Sequence, residues 1–312
     1  MNIIKANNAS AFMVINAILW GSSYIWSKML LGYLPYFTIL FLYFLGGLLF
    51  ISCIYYKKIK SIDRKTVIIG IAIGCLSILS NIFCMLALKN TTSSNTAFIV
   101  QMSVIITPFL MSAVERKLPR SRTVFSAVTA LAGLLLLTFN FSNFTFKTGD
   151  LFALANAIFF SLYLTALRIF MGKTDPVQFT FMQHVTGMVV FLGMAIMFEF
   201  RQIEYDRFDF AALVVLIISI AISVSTILIQ SSAIQFVRPE KATIIYTLEP
   251  VAAAVLAYLL IGERLSGTRA FAGCVLILFA IILTVYKKQD FRGLVSVRRL
   301  SATKPTSAIS IK

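Results

Sequence analysis

Ten long apolar runs divide the chain, and they decide what it can fold into. Each holds about 20 residues, the length that a helix needs to cross a ~30 Å hydrocarbon layer. With 59% hydrophobic and 13% charged residues, a soluble domain of 312 residues could not bury so much apolar surface. We therefore predict an all-α integral membrane protein with ten transmembrane helices, at approximately 11–31, 36–56, 67–88, 94–114, 121–139, 149–171, 177–200, 210–235, 242–262 and 267–287.

The positions of the basic residues predict the orientation. If the N-terminus is cytoplasmic, 21 of the 28 Lys and Arg residues lie on the cytoplasmic side and six on the other, with Lys28 inside the first helix. This asymmetry predicts a multi-pass protein of the cell (inner) membrane with both termini in the cytoplasm. The net charge of +16 is thus a topology signal, and we expect no nucleic-acid partner because zinc spacings and interleaved aromatic and basic residues are missing from the sequence.

The cysteine and histidine residues show no pattern typical of an enzyme. The cysteines, Cys53, Cys75, Cys84 and Cys274, fall inside apolar runs without a CxxC spacing, and we interpret them as small packing residues. The single histidine, His184, has no HExxH or nucleophile motif around it, and the sequence has no Walker loop. We predict that the chain is not an enzyme, holds no metal or cofactor, and does not couple transport directly to ATP.

The sequence contains an internal duplication. An apolar helix, a Glu-Arg pair, a short loop and a second apolar helix occur at Glu115-Arg116 and again at Glu263-Arg264, 148 residues later. Each half then has five helices, and an odd number places the two halves in the membrane in opposite directions. Such inverted repeats are typical of secondary transporters with a site near the midplane. The predicted units are a first repeat at 1–145, a second at 146–287, and a basic cytoplasmic tail at 288–312.

Several segments carry a family resemblance. They are Leu248-Glu249-Pro250 through Gly262-Glu263-Arg264-Leu265, Trp20-Gly21-Ser22-Ser23 with Lys28, Gly149-Asp150-Leu151, and Asn95-Thr96-Ala97-Phe98. In these the chain resembles the drug/metabolite transporter superfamily, specifically its ten-helix EamA-type members, over residues 11–287. The resemblance implies small-solute transport through a central cavity lined by helices 1, 3, 4, 6, 8 and 9. It leaves the solute open among amino acids, nucleotide-like metabolites and drugs.

The first repeat departs from this pattern in helix 4. Aligned on the Glu-Arg pairs, Met102 stands where the second repeat has Pro250, and the proline of helix 4 comes later, at Pro108. Because proline removes a backbone donor from a helix, we expect the breaks in helices 4 and 9 at different depths.

Polar side chains follow one face of several predicted helices. Helix 1 carries Asn16, Trp20, Ser23 and Ser27, and helices 3 and 8 carry similar stripes. In a bilayer these residues face either a wet cavity or another helix, and both interpretations stay open. The candidate substrate-binding residues are Trp20, Ser23, Asn81, Gln101, Tyr163, Gln230 and Tyr246.

Two charged residues lie within predicted spans. Glu249 is about seven residues into helix 9, where an unpaired carboxylate is costly and a functional role is the first hypothesis. It could couple transport to protons, or form a structural pair with Arg168 or His184, or accept a bond from a freed backbone amide. Lys28, near the outer end of helix 1, could extend to the interface or attract an anionic group.

The sequence thus predicts a secondary transporter that moves a small organic metabolite across the cell membrane, outward, by alternating access. The expected partners are that solute and the lipid bilayer, with a homodimer left open. The alternatives are a passive channel and a membrane scaffold without coupled transport.

Overall fold

A computed structural model describes residues 4–91, 93–138, 147–199, 209–261 and 267–285, and its regular structure there is helical throughout. The α-helices are α1 Ala9–Leu30, α2 Tyr36–Ile59, α3 Arg64–Asn90, α4 Ser93–Val100, α5 Ser103–Glu115, α6 Ser121–Thr138, α7 Thr148–Phe170, α8 Pro176–Phe198, α9 Phe210–Ala233, α10 Pro239–Tyr246, α11 Leu248–Ile261 and α12 Gly267–Val285.

Ten membrane passes are built from these helices, as predicted. Nine helical segments in the described ranges are long and apolar enough to cross a bilayer, with α4 and α5 counted together. The tenth pass consists of the two half-helices α10 and α11. We call the side where α1 begins and α12 ends the terminal side, and the opposite side the far side. The boundary predicted at 145/146 and the tail predicted at 288–312 lie outside the described residues.

Acidic side chains fix where several helices begin. Asp63 precedes α3 and accepts a hydrogen bond from the Thr66 N–H at 3.1 Å, while Asp209 accepts from the Ala212 N–H at 2.8 Å at the start of α9. Bonds from the Thr66 side chain and backbone hold the pKa of the Asp63 carboxyl below its usual value. These caps satisfy backbone donors that have no partner inside the helix.

The two repeats meet in symmetric glycine contacts. Gly47 of α2 packs against His184 of α8, and Gly187 of α8 packs against Phe44 of α2, so that the same contact occurs twice with a shift of 140 residues. Gly133 of α6 faces the Gly273 carbonyl oxygen of α12, and Gly273 faces that of Gly133, again 140 apart. In these four helices the repeat shift is therefore 140 rather than the 148 residues between the Glu-Arg pairs.

Carboxylates also fasten α2 to α8 at both of their ends. On the far side, Glu199 accepts hydrogen bonds from the Phe37 and Thr38 N–H groups, each at 2.8 Å, and so caps α2. On the terminal side, Asp175 accepts a hydrogen bond from the Val177 N–H at 2.8 Å and pairs with Lys58, also at 2.8 Å. Since α2 belongs to the first repeat and α8 to the second, these bonds join the two halves.

The breaks in the fourth and ninth passes correct the sequence-based expectation. The fourth pass breaks at Gln101–Met102, between α4 and α5, while Pro108 lies inside the continuous helix α5. The ninth pass breaks at Thr247, just before Pro250, whose missing N–H frees the Tyr246 carbonyl. Both breaks follow a half-helix of eight residues, so the two passes are interrupted at matching positions.

Candidate functional site: a hollow above a polar floor

A chain of hydrogen bonds crosses the terminal half of the bundle. The Tyr246 hydroxyl accepts bonds from Asn16 Nδ2 and Gln230 Nε2, both at 3.0 Å. The Tyr163 hydroxyl lies 3.2 Å from Gln230 Oε1 and 3.3 Å from Gln183 Oε1. All five side chains are at most 2% exposed and bond one another, while Asn16 Oδ1 has no hydrogen-bond partner among the described residues.

This network, which we call the polar floor, extends through six helices. From Gln183 it continues to the Ser77 hydroxyl at 3.1 Å, and at its other end the Tyr246 hydroxyl donates to Met13 Sδ at 3.2 Å. The participating helices are α1, α3, α7, α8, α9 and α10. In a bilayer only such mutual pairing lets so many polar groups stay away from water.

Charged groups seal the rim of the terminal side beneath the floor. Arg238 pairs with Glu115 of the first repeat at 2.8 Å and with Glu240 beside it. Burial of its guanidinium opposes the charge, but both carboxylates outweigh that effect and raise the pKa of Arg238. Arg168 donates to the carbonyl oxygens of Ile234 and Gln235 at the end of α9. These contacts tie α5, α7, α9 and α10 together.

The far half of the bundle is looser. In α1, residues 9–18 alternate between buried and exposed positions as in a packed helix, but Trp20 and Ser23 are both half-buried. In α3 all six residues from Asn81 to Leu86 are partly exposed, whichever way they face. Helices α3 and α11 are not among the packed helix pairs of the described chain. From these exposures we infer an open space in the far half, bordered by Trp20, Ser23, Asn81, Cys84 and Glu249, and we call it the far-side hollow.

Glu249 lies where the hollow meets the polar floor. It is the second residue of α11, one turn from Tyr246, and it is half-buried. Its backbone oxygen packs against α1 so closely that a Cβ at Gly21 would come within 2.6 Å of it. The two segments that carry the strongest resemblance, around Gly21 and Glu249, are thus in direct contact.

The structural pair considered for Glu249 is not formed. Arg168 is bound to backbone carbonyls at the terminal side, and the His184 ring lies between α2 and α8 with its Nδ1 2.8 Å from the Thr180 oxygen. Within the described ranges the Glu249 carboxylate has no hydrogen bond or ion pair. His184 is fully buried, and its Nε2 has no hydrogen-bond partner among the described residues.

The predicted substrate-binding residues divide into two groups. Trp20, Ser23 and Asn81 border the hollow, where the Ser23 hydroxyl and the Asn81 amide donate to backbone oxygens of their own helices, at 2.7 and 2.9 Å. Tyr163 and Tyr246, by contrast, belong to the polar floor.

The last two predicted residues separate in the same way. Gln230 is part of the polar floor, whereas Gln101 is buried at the break between α4 and α5. Lys28 is within α1, but its side chain lies outside the described residues.

Sequence reasoning missed Gln183 and gave Asn16 no role beyond the stripe. Gln183 belongs to a cluster of Thr180, Gln183 and His184 in the otherwise apolar α8, which could have drawn attention to it. Among the described residues, no group of three or more His, Cys, Asp or Glu could hold a metal ion.

Ten passes in two inverted halves, with a hollow on one side and packing on the other, define a polytopic membrane protein of the inverted-repeat class. Residues 8–139 and 147–286 each match the model of the EamA-like transporter family, and the chain belongs to that family. It is 25% identical over 284 residues to an uncharacterized transporter of Archaeoglobus fulgidus, a match that covers 90% of this chain and 86% of the relative. A crystal structure 18% identical in sequence shares the fold, with a TM-score of 0.71 over 95% of this chain and 99% of the other.

Proposed function

We propose that the protein is a secondary transporter that moves a small organic metabolite across the cell membrane by alternating access, in the outward direction. Its two halves, 1–145 and 146–287, would move relative to each other, with both termini in the cytoplasm. The terminal side is then the cytoplasmic side, which the polar floor closes, and the hollow opens to the outside.

The difference between α4 and α10 carries this proposal. The two half-helices are equivalent in the inverted repeat and have the same length. Seven of the eight residues of α10 are buried, whereas Ala97 to Val100 in α4 are all partly exposed. Two equivalent elements thus lie in opposite environments, and exchanging those environments would close the far side and open the terminal side. A passive channel gives no reason for this difference.

The exchange would give both groups of predicted site residues a role. Trp20, Ser23 and Asn81 would contact the solute while the hollow is open to the outside. When the polar floor separates, Tyr163, Gln230 and Tyr246 would face the same solute from the cytoplasmic side. Gln101, at the break of the fourth pass, would move with α4.

The test has two stages. A thermal-shift screen in detergent with amino acids, nucleosides and other small metabolites identifies a ligand, and Trp20→Ala should lose the shift. The ligand is then followed in proteoliposomes, where we expect saturable flux and counterflow, meaning faster uptake when unlabelled ligand is preloaded. Gly193→Ala is the control, because an added Cβ there meets no atom within 4 Å. Flux that does not saturate would indicate a channel, and absence of flux a scaffold.

A further inference from the structure

We propose that Glu249 binds a positively charged nitrogen, so that the transported solutes are organic cations: amines or quaternary ammonium compounds with an apolar body. The inference rests on the proposed function and adds the charge of the solute to it. The geometry behind it is a half-buried carboxylate in the first turn of α11 that has no partner among the described residues.

The Glu249 carboxylate lacks a basic partner among the described residues. A carboxylate inside the membrane is retained at a cost unless a cation or proton joins it. Within the described chain, the basic side chains nearest the bundle interior already have other partners: Arg168 binds carbonyl oxygens, Arg238 binds two carboxylates, and Lys58 pairs with Asp175. Among the described residues Glu249 is thus left without a cation, and a positive charge that arrives with the solute would supply one.

The hydroxyl groups of the neighbouring residues already donate their hydrogens elsewhere. The Tyr246 hydroxyl, one turn away, gives its hydrogen to Met13 Sδ, so it has none left for Glu249. The hydroxyls of Ser22 and Ser23 donate to the backbone oxygens of Leu19 and Trp20, both at 2.7 Å. Their lone pairs remain available, so the hydroxyls that follow Gly21 in α1 can act as acceptors for a donor such as an ammonium group.

Helix α11 places the Glu249 carboxylate close to its N-terminal end. Glu249 stands in the first turn of α11, where unpaired N–H groups and the helix dipole favour a negative charge. The close approach at Gly21 holds α1 against this turn and leaves no room for a side chain between them. Trp20 precedes Gly21 in α1 and is half-buried, and an aromatic ring beside a bound cation would add a cation–π interaction.

The protein supplies its own probe for the experiment. Its only two tryptophans, Trp20 and Trp26, both lie in α1 and are both half-buried. Purified protein in detergent is titrated with phenethylamine, with benzyltrimethylammonium, whose charge is permanent, and with the neutral N-acetylphenethylamine, while tryptophan fluorescence is recorded. We expect the two cations to change the fluorescence saturably and to bind at least tenfold more tightly than the neutral analogue.

Variants of Glu249 assign the site. Glu249→Gln should weaken the binding of both cations at least tenfold and leave the affinity for the neutral analogue unchanged. Glu249→Asp, which keeps the charge, should retain cation binding. Asp63→Asn is the matched control, because it makes the same carboxylate-to-amide change at an exposed residue that caps α3, where asparagine caps equally well. Melting curves of each variant exclude misfolding as the cause.

Several results would overturn the inference: cation binding that survives Glu249→Gln, equal affinity for the neutral analogue, or no response to either cation. The proposed transport function fails in a different way. If the cations bind through Glu249 but show no saturable flux in proteoliposomes, the cation site stands and the transporter does not. If a neutral solute shows counterflow that Glu249→Gln leaves intact, transport stands and the cation site does not.

Discussion

Removing the Tyr246 hydroxyl should open the terminal side more often. In the structure this oxygen accepts hydrogen bonds from Asn16 and Gln230 and donates to Met13. Tyr246→Phe leaves two amide donors unpaired in the closed state, whereas water can satisfy them once that side opens. Polar pairs between membrane helices are worth about 0.6 kcal/mol on average, and an unsatisfied buried donor in a soluble protein about 1–3 kcal/mol. We therefore expect a shift of about 1–3 kcal/mol toward the open terminal side.

The shift can be read from the labelling of a buried position. Each 1.4 kcal/mol is a factor of ten in population, so the open state should become roughly 5- to 150-fold more frequent. Thr243 in α10 is fully buried. In a variant whose only cysteine is introduced by Thr243→Cys, an impermeant thiol reagent added on the terminal side should label that cysteine at a rate proportional to the population of the open state. Tyr258→Phe removes an exposed hydroxyl and should change nothing. If Tyr246→Phe labels at a rate within twofold of the single-cysteine protein that retains Tyr246, the polar floor does not hold the terminal side closed.

Three further predictions concern packing, capping and the hollow. Gly21→Val should abolish transport because its Cβ would lie 2.6 Å from the Glu249 oxygen, whereas Gly193→Ala should be neutral; flux separates the two. Glu199→Ala should lower the melting temperature by about 3 °C, since three hydrogen bonds at the start of α2 worth about 2 kcal/mol are lost, while Glu115→Ala should lower it by less than half as much. With Cys84 as the only cysteine, an impermeant thiol reagent should label it from the far side at least tenfold faster than from the terminal side.

The architecture could be predicted from the sequence because lipid imposes simple rules. Spans of about 20 apolar residues, an odd number of helices per half and the repeated Glu-Arg pattern were sufficient for the ten passes and the inverted repeat. The break in the fourth pass could not be placed, because neither Gln101 nor Met102 is a helix breaker. Pro108, which is one, lies inside a continuous helix whose packing tolerates it.

The site could be predicted only by helix face, since periodicity carries no depth. Gln230 and Ser219 share a stripe on α9, yet Gln230 joins the polar floor while Ser219 bonds the Val215 oxygen of its own helix. Likewise, the sequence marked Tyr163 and Tyr246 as polar residues of the interior, but their bonds across several helices depend on how those helices pack. Which side is closed also depends on how the helices pack, and the residue pattern by itself is compatible with closure on either side.

The central claim is that the two sides are never open together, and reciprocal labelling tests it most directly. Ala97→Cys in α4 and Thr243→Cys in α10 are combined in a chain without its other cysteines, and an impermeant bulky thiol reagent is attached at position 97 from the far side. Our account predicts that this wedge holds the far side open and slows the labelling of position 243 from the terminal side at least tenfold. Labelling of position 243 at an unchanged rate would show that the two sides open independently, and the alternating-access account would be wrong.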